Sequence, residues 1–143
     1  MTPALAHIHS LPTWLVGRVA ARGRGLVADA IAAEGLKLMQ HAVLAATAEY
    51  GPATQAELGR RLAVDPKDMV GILNHLQETG LVMRSPDPAD RRKNAVTATP
   101  DGEAVLARCA ALAEAANAEL LAPLSPAEQR QLTALLNRVH EAP

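Results

Sequence analysis

Leu76-Gln77-Glu78-Thr79-Gly80-Leu81-Val82-Met83-Arg84 runs into Ser85-Pro86-Asp87-Pro88-Ala89-Asp90-Arg91-Arg92-Lys93-Asn94 and on into Ala95-Val96-Thr97-Ala98-Thr99-Pro100-Asp101-Gly102. Gly80 is a helix stop, since only a residue without Cβ enters the left-handed region freely. Leu81-Val82-Met83-Arg84 predicts a short strand. The segment from Pro86 to Asn94 is charged and rich in turn formers. Ala95-Val96-Thr97-Ala98-Thr99 predicts a second strand, because Val96 and the threonines favour extended backbone. Thr99-Pro100-Asp101-Gly102 then opens a long helix.

Upstream, Thr54-Gln55-Ala56-Glu57 is a capping-box sequence. It predicts a short helix ending at Leu62. Asp65-Pro66-Lys67-Asp68 is a second start, with Asp65 as cap and Pro66 in the first turn. Met69, Ile72, Leu73 and Leu76 form the apolar stripe of that helix. Two capped helices followed by a hairpin with a basic tip make a winged helix-turn-helix. The fold class is mainly α, an α+β winged helix.

Residues 1–10 read as a loose lead-in. Leu15, Val19, Leu26, Val27, Ala30 and Ile31 predict a helix from Trp14 to about Glu34. Gly17, Gly23 and Gly25 lower its propensity by about 1 kcal/mol each. Either the helix bends there or another backbone packs close. A further helix spans about Lys37 to Glu49 and stops at Tyr50-Gly51-Pro52. Val105, Leu106, Cys109, Leu112, Ala116 and Leu120 stripe the long helix, which Pro123 breaks. Ser125-Pro126-Ala127-Glu128 caps a last helix lined by Leu132, Leu135, Leu136 and Val139.

Composition fits this picture. The 143 residues include only two aromatics, Trp14 and Tyr50, and about a fifth are alanine, which suits close-packed helices. No apolar run approaches the ~18 residues of a membrane helix. No signal sequence is evident, so the expected location is cytoplasmic. A single cysteine leaves no internal disulfide framework and no cysteine-based zinc site. Net charge is -1, which at first speaks against nucleic acid. Its placement removes the objection: residues 53–99 carry seven basic and six acidic groups, whereas the last 44 carry three and six.

The hairpin tip holds the densest basic cluster, Arg91-Arg92-Lys93. An arginine on a hairpin tip suits the narrow, negative minor groove of DNA. Asp90, two residues before Arg92, can orient the guanidinium through two parallel hydrogen bonds. The competing reading is a solvated charge run.

Residues 36–102 resemble the DNA-binding winged helix of the MarR family of bacterial transcription regulators. The likeness lies in Gln55-Ala56-Glu57-Leu58-Gly59-Arg60-Arg61-Leu62, in the Leu76 to Arg84 stretch, in Asp87-Pro88-Ala89-Asp90-Arg91-Arg92, and in Val96-Thr97-Ala98-Thr99-Pro100-Asp101-Gly102, where Ala98 replaces the family's Leu. The flanking helices fit too. The resemblance implies a homodimer with intertwined terminal helices, bound to a pseudo-palindromic operator. Such proteins are usually repressors released by a small ligand. The chain then divides into an N-terminal dimerisation helix (1–35), a DNA-binding lobe (36–102) and C-terminal dimerisation helices (103–143). The apolar faces of the terminal helices ask independently for a partner.

The second helix of the pair departs from the family habit of Ser, Thr and Arg. It presents Lys67, Asp68, Val70 and Gly71, with Asn74 and His75 beyond. Asn74 is a candidate partner for adenine, Val70 for a thymine methyl, and Gly71 for close backbone approach. Thr54, Gln55 and Arg60 sit where phosphates meet a helix entry. Alternatively this face is simply less basic and binds weakly. By resemblance, an effector cleft lies near Trp14, Arg18, Met39 and His41, and would suit an anionic or aromatic molecule. The other reading places Trp14 at the dimer interface and makes His41 an ordinary histidine.

Cys109, among alanines and Leu112, reads as a packed apolar residue rather than a redox sensor. His7 and His9 lack a third ligand, so no metal site is expected. No nucleophile turn, phosphate loop or metal cluster points to an enzyme, so neither catalytic residues nor cofactors are expected. A winged helix used only for protein–protein contact is the alternative to a DNA-binding regulator.

Overall fold

The Thr54 hydroxyl accepts the Glu57 N–H at 3.2 Å, and the Glu57 carboxylate accepts the Thr54 N–H at 3.4 Å. This reciprocal cap starts a helix where the sequence asks for one. The computed structural model describes residues 3–143. Its elements are α1 (Ala4–Ser10), α2 (Pro12–Ile31) with a 3-10 turn at Ala32–Glu34, α3 (Leu38–Tyr50), β1 (Ala53–Thr54), α4 (Gln55–Leu62), α5 (Pro66–Glu78), β2 (Val82–Pro86), β3 (Asn94–Ala98), α6 (Pro100–Leu120) and α7 (Pro126–Glu141). They form two compact units: Ala28–Ala113, and the chain up to Val27 together with Glu114–Pro143.

The Ala28–Ala113 unit carries the winged helix. β3 is the central strand, antiparallel to both β1 and β2. Arg84 pairs with Val96 on one side, and Ala53 pairs with Val96 on the other. Asp65 caps α5 by accepting the Lys67 N–H at 2.8 Å. Leu44, Leu58, Met69, Leu73, Leu76 and Val96 are fully or almost fully buried, each contributing roughly 1.5–3 kcal/mol of transfer free energy. Gly80 turns left-handed at φ 78°, as its position at the helix end requires.

The root of the hairpin is riveted by Thr99. Its N–H donates to the Leu81 carbonyl at 3.0 Å, and its hydroxyl donates to the Gly80 carbonyl at 2.6 Å. The same hydroxyl accepts the Gly102 N–H at 3.1 Å, which caps α6. Gly102 lies so close to this turn that a Cβ would collide with the Leu81 carbonyl oxygen.

In the other unit, α7 opens on a second reciprocal cap. Glu128 N–H donates to the Ser125 hydroxyl at 3.2 Å, and Ser125 N–H to the Glu128 carboxylate at 2.8 Å. Apolar side chains here stay in solvent: Leu5, Ile8, Leu15, Val16 and Val19, and on α7 Leu135, Leu136 and Val139.

Two expectations need correction. Residues 4–10 form a helix, α1, rather than a loose lead-in; Ser10 Oγ donates to the His7 carbonyl and closes its last turn. Thr54 caps α4 as the sequence predicts, and it also belongs to β1, a strand too short to leave an alternating pattern. Along α2 the glycines do not interrupt the helix, and no other backbone packs there; at Gly23 a Cβ would meet the Leu120 side chain at 3.1 Å.

Candidate nucleic-acid interface

α5 buries Met69, Leu73 and Leu76 and leaves Lys67, Val70, Gly71, Asn74 and Gln77 exposed along the opposite stripe. Helical spacing alone produces this division. A Cβ built on Gly71 would meet nothing within 4 Å. Asp68 is exposed beside Lys67, and His75 is half-buried.

α4 approaches with Gln55 half-buried in its first turn. Its two arginines part company. Arg61 lies over the Tyr50 ring at 4.0 Å, a cation–π contact. Arg60 is exposed. α4 ends at Ala63 in the left-handed conformation, φ 53°, unusual for a residue with a Cβ. Val64 N–H donates to the Gly59 carbonyl at 3.0 Å and closes the turn.

The hairpin tip is tied by its own backbone. Asp87 N–H donates to the Lys93 carbonyl at 2.7 Å, and Lys93 N–H to the Asp90 carbonyl at 2.9 Å. Ala89 N–H donates to the Asp87 carboxylate at 3.1 Å. Arg92 donates its N–H and its Nε to Asp90 Oδ1, each at 3.1 Å, and its Nη2 to Oδ2 at 3.2 Å. The Arg92 guanidinium holds the Asp90 carboxyl below its ordinary pKa, with the Arg92 backbone N–H adding to the effect. Arg91 and Lys93 project into solvent.

Sequence reasoning passed over Arg84. From β2 its Nη1 donates to Asn74 Oδ1 at 3.2 Å and also to Gln77 Oε1. The strand thus reaches back to the exposed stripe of α5. A Leu-Val-x-Arg stretch gives no sign of the partner; the three-residue spacing of Asn74 and Gln77 is the only hint.

The four residues expected at an effector site divide between the two units. Trp14 stacks on His9, centroids 4.3 Å apart, with the Arg18 guanidinium 5.8 Å from its ring. Met39 lines an open cleft of about 740 Å³ on the winged-helix unit, with Lys37, Gln40, Lys67 and Asp68. His41 is half-buried on α3 and does not line that cleft. Cys109 is fully buried, and burial pushes its thiol pKa up. Among the described residues no group of histidine, cysteine and carboxylate side chains could hold a metal ion. No helix there is long and apolar enough to cross a membrane.

Comparison with known proteins decides the family. Residues 34–93 match the sequence model of the MarR family. The HTH-type transcriptional repressor Rv2887 of Mycobacterium tuberculosis is 31% identical over 126 residues, covering 88% of this chain and 91% of the repressor. The crystal structure of Rv2887 in complex with DNA, described as a MarR family protein, superposes with a TM-score of 0.79 over 91% of this chain and 98% of that one, at 29% identity.

The chain belongs to the MarR family.

Within that family it is also similar to the HTH-type transcriptional repressor NicR of Pseudomonas putida, 44% identical over 71 residues, half of this chain and 45% of NicR. BpsR of Bordetella bronchiseptica, solved in a study of how 6-hydroxynicotinic acid regulates its DNA binding, superposes with a TM-score of 0.76 over 99% of this chain and all of that one, at 29% identity. Rv2887 has further been solved with salicylic acid. The MarR-family winged helix here thus carries an exposed polar stripe on α5 and an oriented arginine at the hairpin tip.

Proposed function

We propose that this protein is a homodimeric DNA-binding transcriptional regulator, a repressor that binds a pseudo-palindromic operator and is released by a small molecule. One observation carries the reading: Arg92 is held by Asp90 at the tip of the wing, with its cation almost fully exposed. A fixed guanidinium fits a narrow minor groove. The stripe of Lys67, Val70, Gly71 and Asn74 on α5 faces the major groove, and Arg91, Lys93, Arg60 and Gln55 meet the backbone, while Thr54, expected there too, is buried and serves as the α4 cap. Residues 36–102 are the DNA-binding lobe, and 1–35 with 103–143 form the dimer, covering the exposed leucines and valines of α1, α2 and α7. The protein acts in the cytoplasm and is not an enzyme.

The effector is an aromatic carboxylate. Relatives bound to salicylic acid and regulated by 6-hydroxynicotinic acid support this class. Lys37 and Lys67 offer cations to a carboxylate, and Met39 an apolar wall to the ring. A gel shift against the protein's own promoter, run as a salt series, tests the reading. Retarded DNA whose affinity falls steeply with salt is expected, as is release by millimolar salicylate. Absence of binding at low salt would favour a protein-contact module.

A further inference from the structure

Two adjoining faces of α5 are open to different visitors. At about 100° per residue, Lys67, Val70, Gly71 and Asn74 share the exposed stripe. Lys67, Asp68, Gly71 and Ile72 fall on the next face and line the open cleft of about 740 Å³. Lys67 and Gly71 belong to both. They stand about one turn apart on the seam between the two faces, and both are exposed. The start of α3 brings Lys37 and Met39 to the same cleft.

The seam admits one occupant at a time. No atom lies within 4 Å of where a Cβ on Gly71 would stand. A flat ring or a DNA backbone can approach α5 there, but they would fill the same space. Lys67 carries the same choice in charge. Its backbone N–H is taken by Asp65, while among the described residues no ion pair engages its ammonium. An anion held by that ammonium sets a like charge against a phosphate arriving beside it. Asp65 and Asp68 also line the cleft. Asp65 is engaged as the cap of α5, and Asp68 opposes a carboxylate, so holding one there needs Lys37 and Lys67 together.

We infer that effector and operator compete directly for Lys67 and Gly71. The aromatic carboxylate releases DNA by occupying the edge of the reading helix, with no change of shape passed from elsewhere. This rests on the DNA-binding and effector readings above.

Salicylate is the probe, and the full-length protein is used. Operator affinity is read by fluorescence anisotropy of a labelled duplex, at constant ionic strength and rising salicylate. Competition makes the apparent dissociation constant climb without limit, by about tenfold or more once salicylate reaches ten times its own dissociation constant. A change of shape passed from elsewhere would level off when every site is filled, leaving a ternary complex. Equilibrium dialysis gives the converse: free protein binds salicylate, and protein saturated with operator takes up none. Lys67→Ala should weaken salicylate and operator alike, each by about tenfold, and lower the salt slope for DNA by about one per protomer. Lys67→Gln repeats this readout should the Ala variant fail to fold by circular dichroism. A plateau in the titration would overturn the inference. So would salicylate uptake by the operator complex, or a loss in the Lys67 variants confined to one of the two ligands. Free protein that binds no salicylate at millimolar concentration would instead overturn the effector reading, and wild type that binds no operator at low salt the DNA-binding reading; this inference falls with either.

Discussion

The Arg92 side chain is 90% exposed, and Asp90 nevertheless holds it at two points, with the Arg92 backbone N–H as a third tie to the same carboxylate. An ion pair so open to solvent adds close to nothing to stability. What it sets is direction. Arg92→Ala should leave the melting temperature within about 1 °C, since such surface changes fall within about 0.5 kcal/mol. It should weaken binding to every DNA sequence and reduce the slope of log K against log salt by about one per wing. Asp90→Asn keeps the cation but loses the second anchor, so affinity should fall several-fold with the slope intact. Fluorescence anisotropy across a salt series reads both.

The same pair fixes the pH response of the wing. The Asp90 pKa is lowered in the folded chain by Arg92, first through the side chain and then through the backbone N–H. A lowered carboxyl pKa means the contact is fully formed above the unfolded aspartate value near 3.9 and is lost only as pH falls through the folded value. Wing geometry should therefore be constant from pH 5 to 8. Carbon-detected NMR titration of the Asp90 carboxyl should give a midpoint below that of an unstructured aspartate, and Arg92→Ala should raise it.

Gly71 sits in the middle of α5, exposed, with no atom within 4 Å of where a Cβ would stand. Nothing in the chain requires glycine there. Gly71→Ala should stabilise the free protein by about 1 kcal/mol, by propensity alone. If DNA backbone approaches at this point, the same change should weaken operator binding. Thermal melts and gel shifts moving in opposite directions are the expected result.

Capping signals made the winged helix legible. Thr54 with Glu57, Asp65 with Pro66, Gly80, and Ser125 with Glu128 each mark a helix end by local chemistry, and each acts as its residue type predicts. What stayed hidden depends on distant partners. β1 is two residues long and exists only because Val96 and Ala95 lie opposite. Ala63 adopts a glycine-like conformation with no glycine to announce it. Arg84 and Asn74 are ten positions apart, on a strand and a helix, so no periodicity links them. The tie between Asp90 and Arg92 was readable because it is local.

Leu135, Leu136 and Val139 are 46%, 45% and 77% exposed on α7, and Leu5 is 63% exposed on α1. A dimer interface that covers them gains roughly 1–2 kcal/mol per side chain, in proportion to the area still exposed. Val139→Asp should shift the protein from dimer toward monomer in sedimentation velocity, with operator affinity falling in step. An unchanged sedimentation coefficient would place the interface elsewhere.

Cys109 should be chemically silent. Burial raises its thiol pKa, and the charge of Glu34 adds to the shift. Because the folded value lies above the unfolded one, its contribution to stability holds below about pH 9 and is lost as pH rises further. Native protein should react slowly with a thiol reagent and rapidly once unfolded. Peroxide should leave DNA binding unchanged.

Thr99 joins the end of α5, the return of the hairpin and the first turn of α6 through a single residue. Such a junction has no slack. A tilt of the first turn of α6 is therefore passed through the same side chain to the root of the hairpin and the end of α5. A ligand that shifts this turn should therefore weaken DNA binding in a gel shift without touching α5 or the hairpin.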